Sequence, residues 1–201
     1  MTRHLVIFAR APALGRAKRR LGQQIGTLEA ARFYRRTLER TILSCGRDRR
    51  WKTWLWITPD KETDHPAWKA GGRRLVRVGQ GSGDLGARMA RPFKSLPPGP
   101  VVLIGSDIPT VTAEIIAAAF RALGTHDLVL GPAADGGFWL IGAKRVRPWP
   151  RGLFKGVRWS TGHALADTRA NIGGHLSVGL VDTLEDIDDA RSYKRWKEAN
   201  A

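Results

Sequence analysis

The chain carries one cysteine, Cys45, so no internal disulfide can staple it and its fold must rest on burial. A lone thiol fits a reducing compartment, and the protein is expected to be cytoplasmic. Cys45 falls near the end of a predicted helix with no His or Lys motif beside it, which reads as a small packing residue rather than a nucleophile. Long hydrophobic runs are missing too. The first compact apolar stretch, residues 5–9, is shorter than a signal-peptide core and far below the roughly 20 residues of a membrane helix, so no membrane span is expected. Acids are scarce: 18 Asp and Glu stand against 34 Lys and Arg, leaving +16. Such an excess attracts anions and leaves nucleotides, phosphorylated metabolites, nucleic acid and acidic headgroups open as partners. There is no internal repeat and no low-complexity tract, and 42% hydrophobic residues mark a globular chain rather than a disordered one. Its 201 residues suffice for one well-cored domain and are few for two, so residues 1–201 are read as a single domain.

What is present is an alternation. Short runs bounded by Gly or Pro predict strands over residues 4–9, 54–58, 74–78, 101–105, 127–131, 137–142 and 176–181. Between them lie helical patterns. Thr27 is placed to cap a helix whose apolar positions Leu28, Ala31, Leu38, Ile42 and Leu43 recur at helical spacing and stop before Gly46. Thr112 is placed to cap another, with Glu114 in its first turn and Gly124 as its stop. Alternating helices and near-continuous apolar strands predict an α/β three-layer sandwich. The strands at 127–131 and 137–142 are too close for a helical crossover, so one pairing there is antiparallel or offset and the sheet is mixed. Residues 145–156, with Pro148, Pro150 and three arginines, predict an irregular surface excursion.

Candidate chemistry collects in the loops after these strands. The run Val101-Val-Leu-Ile-Gly-Ser-Asp107 is a strand buried on both faces that ends in a carboxylate, which delivers Asp107 to the edge where open α/β sheets bind ligands. A carboxylate there is a natural oxygen ligand for Mg²⁺ or Mn²⁺, or else a turn cap. After the first strand, Arg10, Pro12, Gly15, Arg16, Lys18 and Arg20 form a basic turn able to fold around polyphosphate, without the Gly-Lys-Ser/Thr ending of a P-loop. Residues 81–86 satisfy Gly-x-Gly-x-x-Gly, but not at the first strand, and Pro92 leaves room for only a short helix, which disfavours an NAD-binding reading. Alternatively, Gly83 and its neighbours let a flat base approach while the Gln80 amide bonds its edge. Asp135 sits in a second glycine-rich strand-end loop. Thr183 and Asp186 form a capping pattern, which leaves Asp182, at a strand end, freer to bind metal. The five histidines lack metal-ligand spacing, and no partner for a catalytic serine is evident near Ser160.

Taken in order, Phe8-Ala-Arg-Ala-Pro12, Gly15-Arg16, Lys18 to Leu21, Gly83-Asp-Leu-Gly86 with Arg88-Met89, Leu103 to Pro109, Gly131 to Gly142, Trp159-Ser-Thr161 and Asp182 to Asp186 resemble the glycosyltransferases of the nucleotide-diphospho-sugar transferase superfamily. More narrowly they resemble the bacterial group related to phospholactate or phosphoenolpyruvate guanylyltransferase. The resemblance spans nearly the whole chain. It implies a GT-A fold, a Rossmann-like mostly parallel mixed sheet, binding a nucleoside triphosphate or nucleotide sugar with Mg²⁺ or Mn²⁺ and a small-molecule acceptor. It places Arg10, Gly15, Arg16, Lys18, Arg20 and Arg88 with the nucleotide, Arg16, Lys18 and Arg20 facing phosphate, and Gln80 and Gly83 near the base. Asp107 would be the principal metal ligand, Asp182 a second acid near it, and Asp135 would sit by the acceptor, so that Asp107, Lys18 and Asp135 carry catalysis. Arg19, Ala134 and Leu180 depart from the family pattern, Leu180 replacing an acid two residues before Asp182.

The implied reaction is transfer from an activated nucleotide, either nucleotidyl or glycosyl, with catalysis by positioning and charge. The rival is a basic nucleic-acid-binding domain using scattered arginines and eight tryptophans. Many of those tryptophans lie inside predicted strands, where packing explains them better.

Overall fold

The computed structural model describes residues 1–200. Seven strands form one sheet: β1 (His4–Arg10), β2 (Lys52–Thr58), β3 (Val76–Gly79), β4 (Val101–Gly105), β5 (Leu128–Pro132), β6 (Phe138–Ala143) and β7 (Val178–Leu180), in the order β3-β2-β1-β4-β6-β5-β7. Each falls where the apolar runs predict it. β6 pairs antiparallel with β4 and β5, and every other pairing is parallel, so the sheet is mixed and mostly parallel. The cause is the short link between Pro132 and Phe138, which permits a hairpin-like return and no crossover helix.

The helices are α1 (Arg19–Ile25), α2 (Thr27–Ser44), α3 (Leu85–Ser95), α4 (Ala113–Ala122), α5 (Ala164–Ala170) and α6 (Ala190–Ala199). Alternate strand residues feed two cores. Leu5, Ile7, Leu55 and Ile104 pack with Leu38, Ile42, Ile116 and Phe120 of α2 and α4. Val6, Trp56, Leu103 and Ile141 pack on the other face with Met89 and Phe93 of α3 and with Leu153. A sheet covered on both faces is the three-layer sandwich expected, and it explains why the central strands read as continuous apolar runs. Cys45 lies wholly buried in the first core and is free, as a packing residue.

Three local expectations are corrected. Gly26, at φ 91, precedes α2 as its cap, and Thr27 is the first helical residue. α3 runs on through Pro92, which is itself buried, so this proline does not shorten it. No helix begins at Thr183; α6 starts later, where the Asp189 carboxylate accepts from the Ser192 N–H and closes a capping box. Among the described residues no helix is long and apolar enough to cross a membrane.

The chain leaves β1 toward β2 and β3, then crosses back to β4 on the other side of β1. The direction of winding therefore reverses between β1 and β4, and a crevice opens outside their carboxyl ends. Arg10 and Asp107 stand at its two walls.

Candidate functional site at the ends of β1 and β4

Asp107, two residues beyond β4, meets Lys18 from the basic turn. The Lys18 ammonium lies 3.0 Å from Asp107 Oδ2 and 2.5 Å from Asp188 Oδ1, with its side chain 4% exposed. Lys18 reaches this position from a left-handed backbone, φ 49 and ψ 49, which turns the chain into α1. Burial works to lower its pKa, and the two carboxylates outweigh burial, so the ammonium is held above its ordinary value. Asp186 completes the group. Its burial, then repulsion from Asp188, and more weakly from Asp135 and Asp107, push its carboxyl up to about 6, against the pull of Lys18.

This corrects the placement of Asp182. That side chain is exposed, and its backbone carbonyl accepts from Trp139 Nε1 at 2.9 Å. The acids near Asp107 are Asp186 and Asp188 instead. Asp186 was expected to cap a helix that does not form, and Asp188 went unnoticed; the signal was five acids between residues 182 and 189 in a chain otherwise poor in them.

On the β1 side a cavity of about 360 Å³ is lined by Arg10, Arg16, Lys18, Arg88 and Asp107. Tyr34 braces it. Its hydroxyl accepts from the Arg10 N–H at 3.0 Å, donates to the Arg10 carbonyl at 2.8 Å and lies 3.2 Å from Ser106 Oγ, tying the end of β1 to the end of β4. Burial pushes the Tyr34 phenol up, so it stays a neutral brace. Gly15 lines a separate small cavity with Thr27 and Gln23, and Arg20 lines the cavity that Asp186 and Asp188 share rather than this mouth.

Gln80 does not offer its amide to a base. It is 3% exposed, its Nε2 donates to the carbonyls of Trp56 and Ala9, and its Oε1 accepts from Arg88 at 2.9 Å. Its role is to hold Arg88 at the mouth. The following loop is closed by its own contacts: Arg91 donates to the carbonyls of Gln80 and Ser82, Asp60 accepts from the Gly81 N–H, and Asp84 caps α3. Gly83, at φ 103, makes the turn that an L side chain would strain. With these groups committed, the Gly-x-Gly-x-x-Gly match is a helix-entry turn rather than a dinucleotide cradle.

On the β6 side Asp135 is exposed and its Oδ1 accepts from the Gly137 N–H at 2.8 Å. It separates two cavities. One, about 320 Å³, runs from Asp135 to Asp107. The other, about 570 Å³, is lined by Arg20, Asp135, Asp186, Asp188 and Arg195. Sequence reasoning missed the aromatic wall of the first, where Phe138 and Trp159 meet edge to face with centroids 6.1 Å apart.

Asp107 and Asp188 thus share one buried ammonium with Asp186 and Asp135 nearby, and the crowding shows in the raised Asp186. No three His, Cys, Asp or Glu side chains among the described residues converge as a ready-made metal cage. The donor set fits a cation such as Mg²⁺ or Mn²⁺, which takes one or two carboxylates and completes its shell with water and substrate phosphate. Asp107 with Asp186 or Asp188 would supply them. None of the eight tryptophans stands exposed on the surface, as an open row of stacking faces for nucleic acid would require.

A family model described as an uncharacterized protein conserved in bacteria, DUF2064, matches residues 41–161. The chain belongs to the DUF2064 family. That match includes β4, Asp107 and the Asp135 loop. A 3-phospho-D-glycerate guanylyltransferase from Phenylobacterium zucineum (strain HLK1) is 32% identical over 102 residues, 49% of this chain and 46% of that protein. The match thus spans about half the length of that curated relative. The crystal structure of a Desulfovibrio desulfuricans G20 protein assigned as a nucleotide-diphospho-sugar transferase superposes with a TM-score of 0.86 at 28% identity, covering 100% of this chain and 88% of the other. A glucosyl-3-phosphoglycerate synthase from Mycobacterium tuberculosis, solved with Mn²⁺, UDP-glucose and phosphoglyceric acid, shares the fold at a TM-score of 0.56 and 14% identity, over 92% of this DUF2064 chain and 70% of that one. The resemblance read from the ordered motifs is borne out, and the fold is that of the nucleotide-diphospho-sugar transferases.

Proposed function

We propose that this protein is a divalent-cation-dependent transferase that draws its group from a nucleoside triphosphate or a nucleotide sugar. The observation that carries the reading is Asp107 at the winding reversal, with an under-neutralised acid cluster on one side and a mouth of Arg10, Arg16 and Arg88 on the other. Anionic phosphates suit the second, a cation suits the first, and a nucleotide with its metal brings both. The relative named as a guanylyltransferase and the structural neighbour assigned as a nucleotide-diphospho-sugar transferase support it.

In this reading Arg10, Arg16 and Arg88 bind and orient the phosphates, and Lys18 supplies fixed positive charge where the transfer develops negative charge. Asp107 and Asp186 or Asp188 would hold the cation, which when bound neutralises phosphate charge. Tyr34 keeps the two walls at fixed spacing. Asp135, on the far side of Asp107, faces the acceptor.

Thermal unfolding tests it. GTP, CTP or a UDP-sugar is expected to raise the midpoint only with Mg²⁺ or Mn²⁺, and Asp107→Asn to abolish the rise. Salt-sensitive oligonucleotide binding with no response to any nucleotide would overturn the reading in favour of a nucleic-acid-binding protein.

A further inference from the structure

We infer that the 320 Å³ cavity between Asp107 and Asp135 receives the acceptor, and that the acceptor is an uncharged alcohol with an apolar body rather than a phosphorylated acid. The inference rests on the transferase reading above, because it takes the nucleotide phosphates to lie on the β1 side of Asp107.

The wall decides the class of molecule. Phe8, Met89, Leu103, Phe138, Ile141 and Trp159 supply an apolar lining, and the volume falls at the lower end of the about 300–1,000 Å³ of small-molecule pockets. No Lys, Arg or His is among the described residues that line it. Its only charged groups are two carboxylates, at its two ends. A phosphoryl dianion in the cavity's apolar body, away from the cation proposed at Asp107, would lose its water and meet no cationic side chain.

The neighbouring cations are engaged elsewhere. Lys18 is held by Asp107 and Asp188, Arg88 belongs to the phosphate mouth on the β1 side, and Arg158 forks onto Asp167. On the polar rim Thr161 Oγ1 donates to the Arg158 carbonyl at 2.7 Å, and Ser160 brings a neutral hydroxyl. An alcohol fits what remains. Its carbon body packs on Phe138 and Trp159, and its hydroxyl points to Asp135, whose Oδ1 takes the Gly137 N–H and whose Oδ2 is left to accept. On transfer the hydroxyl proton passes to Asp135 and a bond forms from the alcohol oxygen to the transferred group. The bond to the departing pyrophosphate or nucleoside diphosphate breaks with its electron pair.

Saturation-transfer NMR on the full chain, with 2-phenylethanol and 3-phosphoglycerate as probes, tests this. The wild type is expected to bind 2-phenylethanol, and 3-phosphoglycerate is expected not to displace it. Trp159→Ala, which removes the wall, and Thr161→Trp, which fills the rim, are each expected to weaken 2-phenylethanol about tenfold. Should one variant fail to fold, as read from its unfolding midpoint, the other carries the comparison. Displacement of 2-phenylethanol by 3-phosphoglycerate, its indifference to both variants, or its displacement by GTP alone would overturn the assignment, the last by placing the base here. If 2-phenylethanol fails to bind while Mg²⁺-dependent nucleotide stabilisation persists, only the acceptor assignment falls. If both are absent, the transferase reading falls with it.

Discussion

Lys18 is the residue on which the charge balance of the site turns. It is a buried ammonium between two partly exposed carboxylates, and removing it leaves Asp107 and Asp188 facing each other. Lys18→Met is therefore expected to cost about 1 kcal/mol in urea denaturation, below the figure for a fully buried pair because both acids reach solvent. Added Mg²⁺ should recover part of that loss. Asp186 predicts the opposite sign. Its folded pKa, about 6, lies above the ordinary carboxylate value, so between roughly pH 4 and 6 the folded state holds a proton the unfolded chain has lost. Stability should fall as pH rises through that window, and the penalty should remain at pH 7. Asp186→Asn removes it: the metal-free variant should melt higher than wild type at pH 7 and show a flatter pH dependence below. Asp107 was legible because an apolar run ended on it. Asp188 was not, because its partner Lys18 arrives from 170 residues away through a left-handed turn.

At the scale of elements, strands were read well and helix starts poorly. A buried strand announces itself by composition, and the short link before β6 even revealed its antiparallel direction. Helix starts depend on which side chain actually turns back to the backbone, and Thr183 with Asp186 had the right spacing without a following apolar face. The turn before α3 shows the same lesson. Its glycines matched a dinucleotide fingerprint, yet Asp84 accepts from the Ala87 N–H at 2.7 Å and makes it a capped helix entry. Asp84→Ala should cost about 1 kcal/mol and lower the melting midpoint by about 2–4 °C. Gly86 is required by packing rather than by a ligand: a Cβ there would stand 2.7 Å from the Phe154 Cβ. Gly86→Val should push Phe154 and Trp159 aside, costing about 1–3 kcal/mol in chemical denaturation. Its neighbour Trp159 lines the acceptor cavity, so 2-phenylethanol binding should weaken in the same variant.

For the whole molecule, the +16 charge and the winding reversal act together. The reversal puts the crevice at the ends of β1 and β4, and the charge excess draws a polyanion toward it. Nucleotide affinity should therefore fall by about three- to tenfold between about 0.05 and 0.5 M salt, as titration calorimetry would record. A non-ionic ligand of the apolar cavity should show no such dependence. The activity proposed for this crevice is transfer of a group from a nucleotide with the help of a divalent cation. Its most direct test is turnover: a panel of nucleoside triphosphates and nucleotide sugars, offered with alcohol acceptors and Mg²⁺ or Mn²⁺, and followed for pyrophosphate or nucleoside diphosphate. Release with at least one donor, lost on chelation and in Asp107→Asn, is the predicted result. Release that survives both chelation and Asp107→Asn, or none from any donor under these conditions, would contradict it.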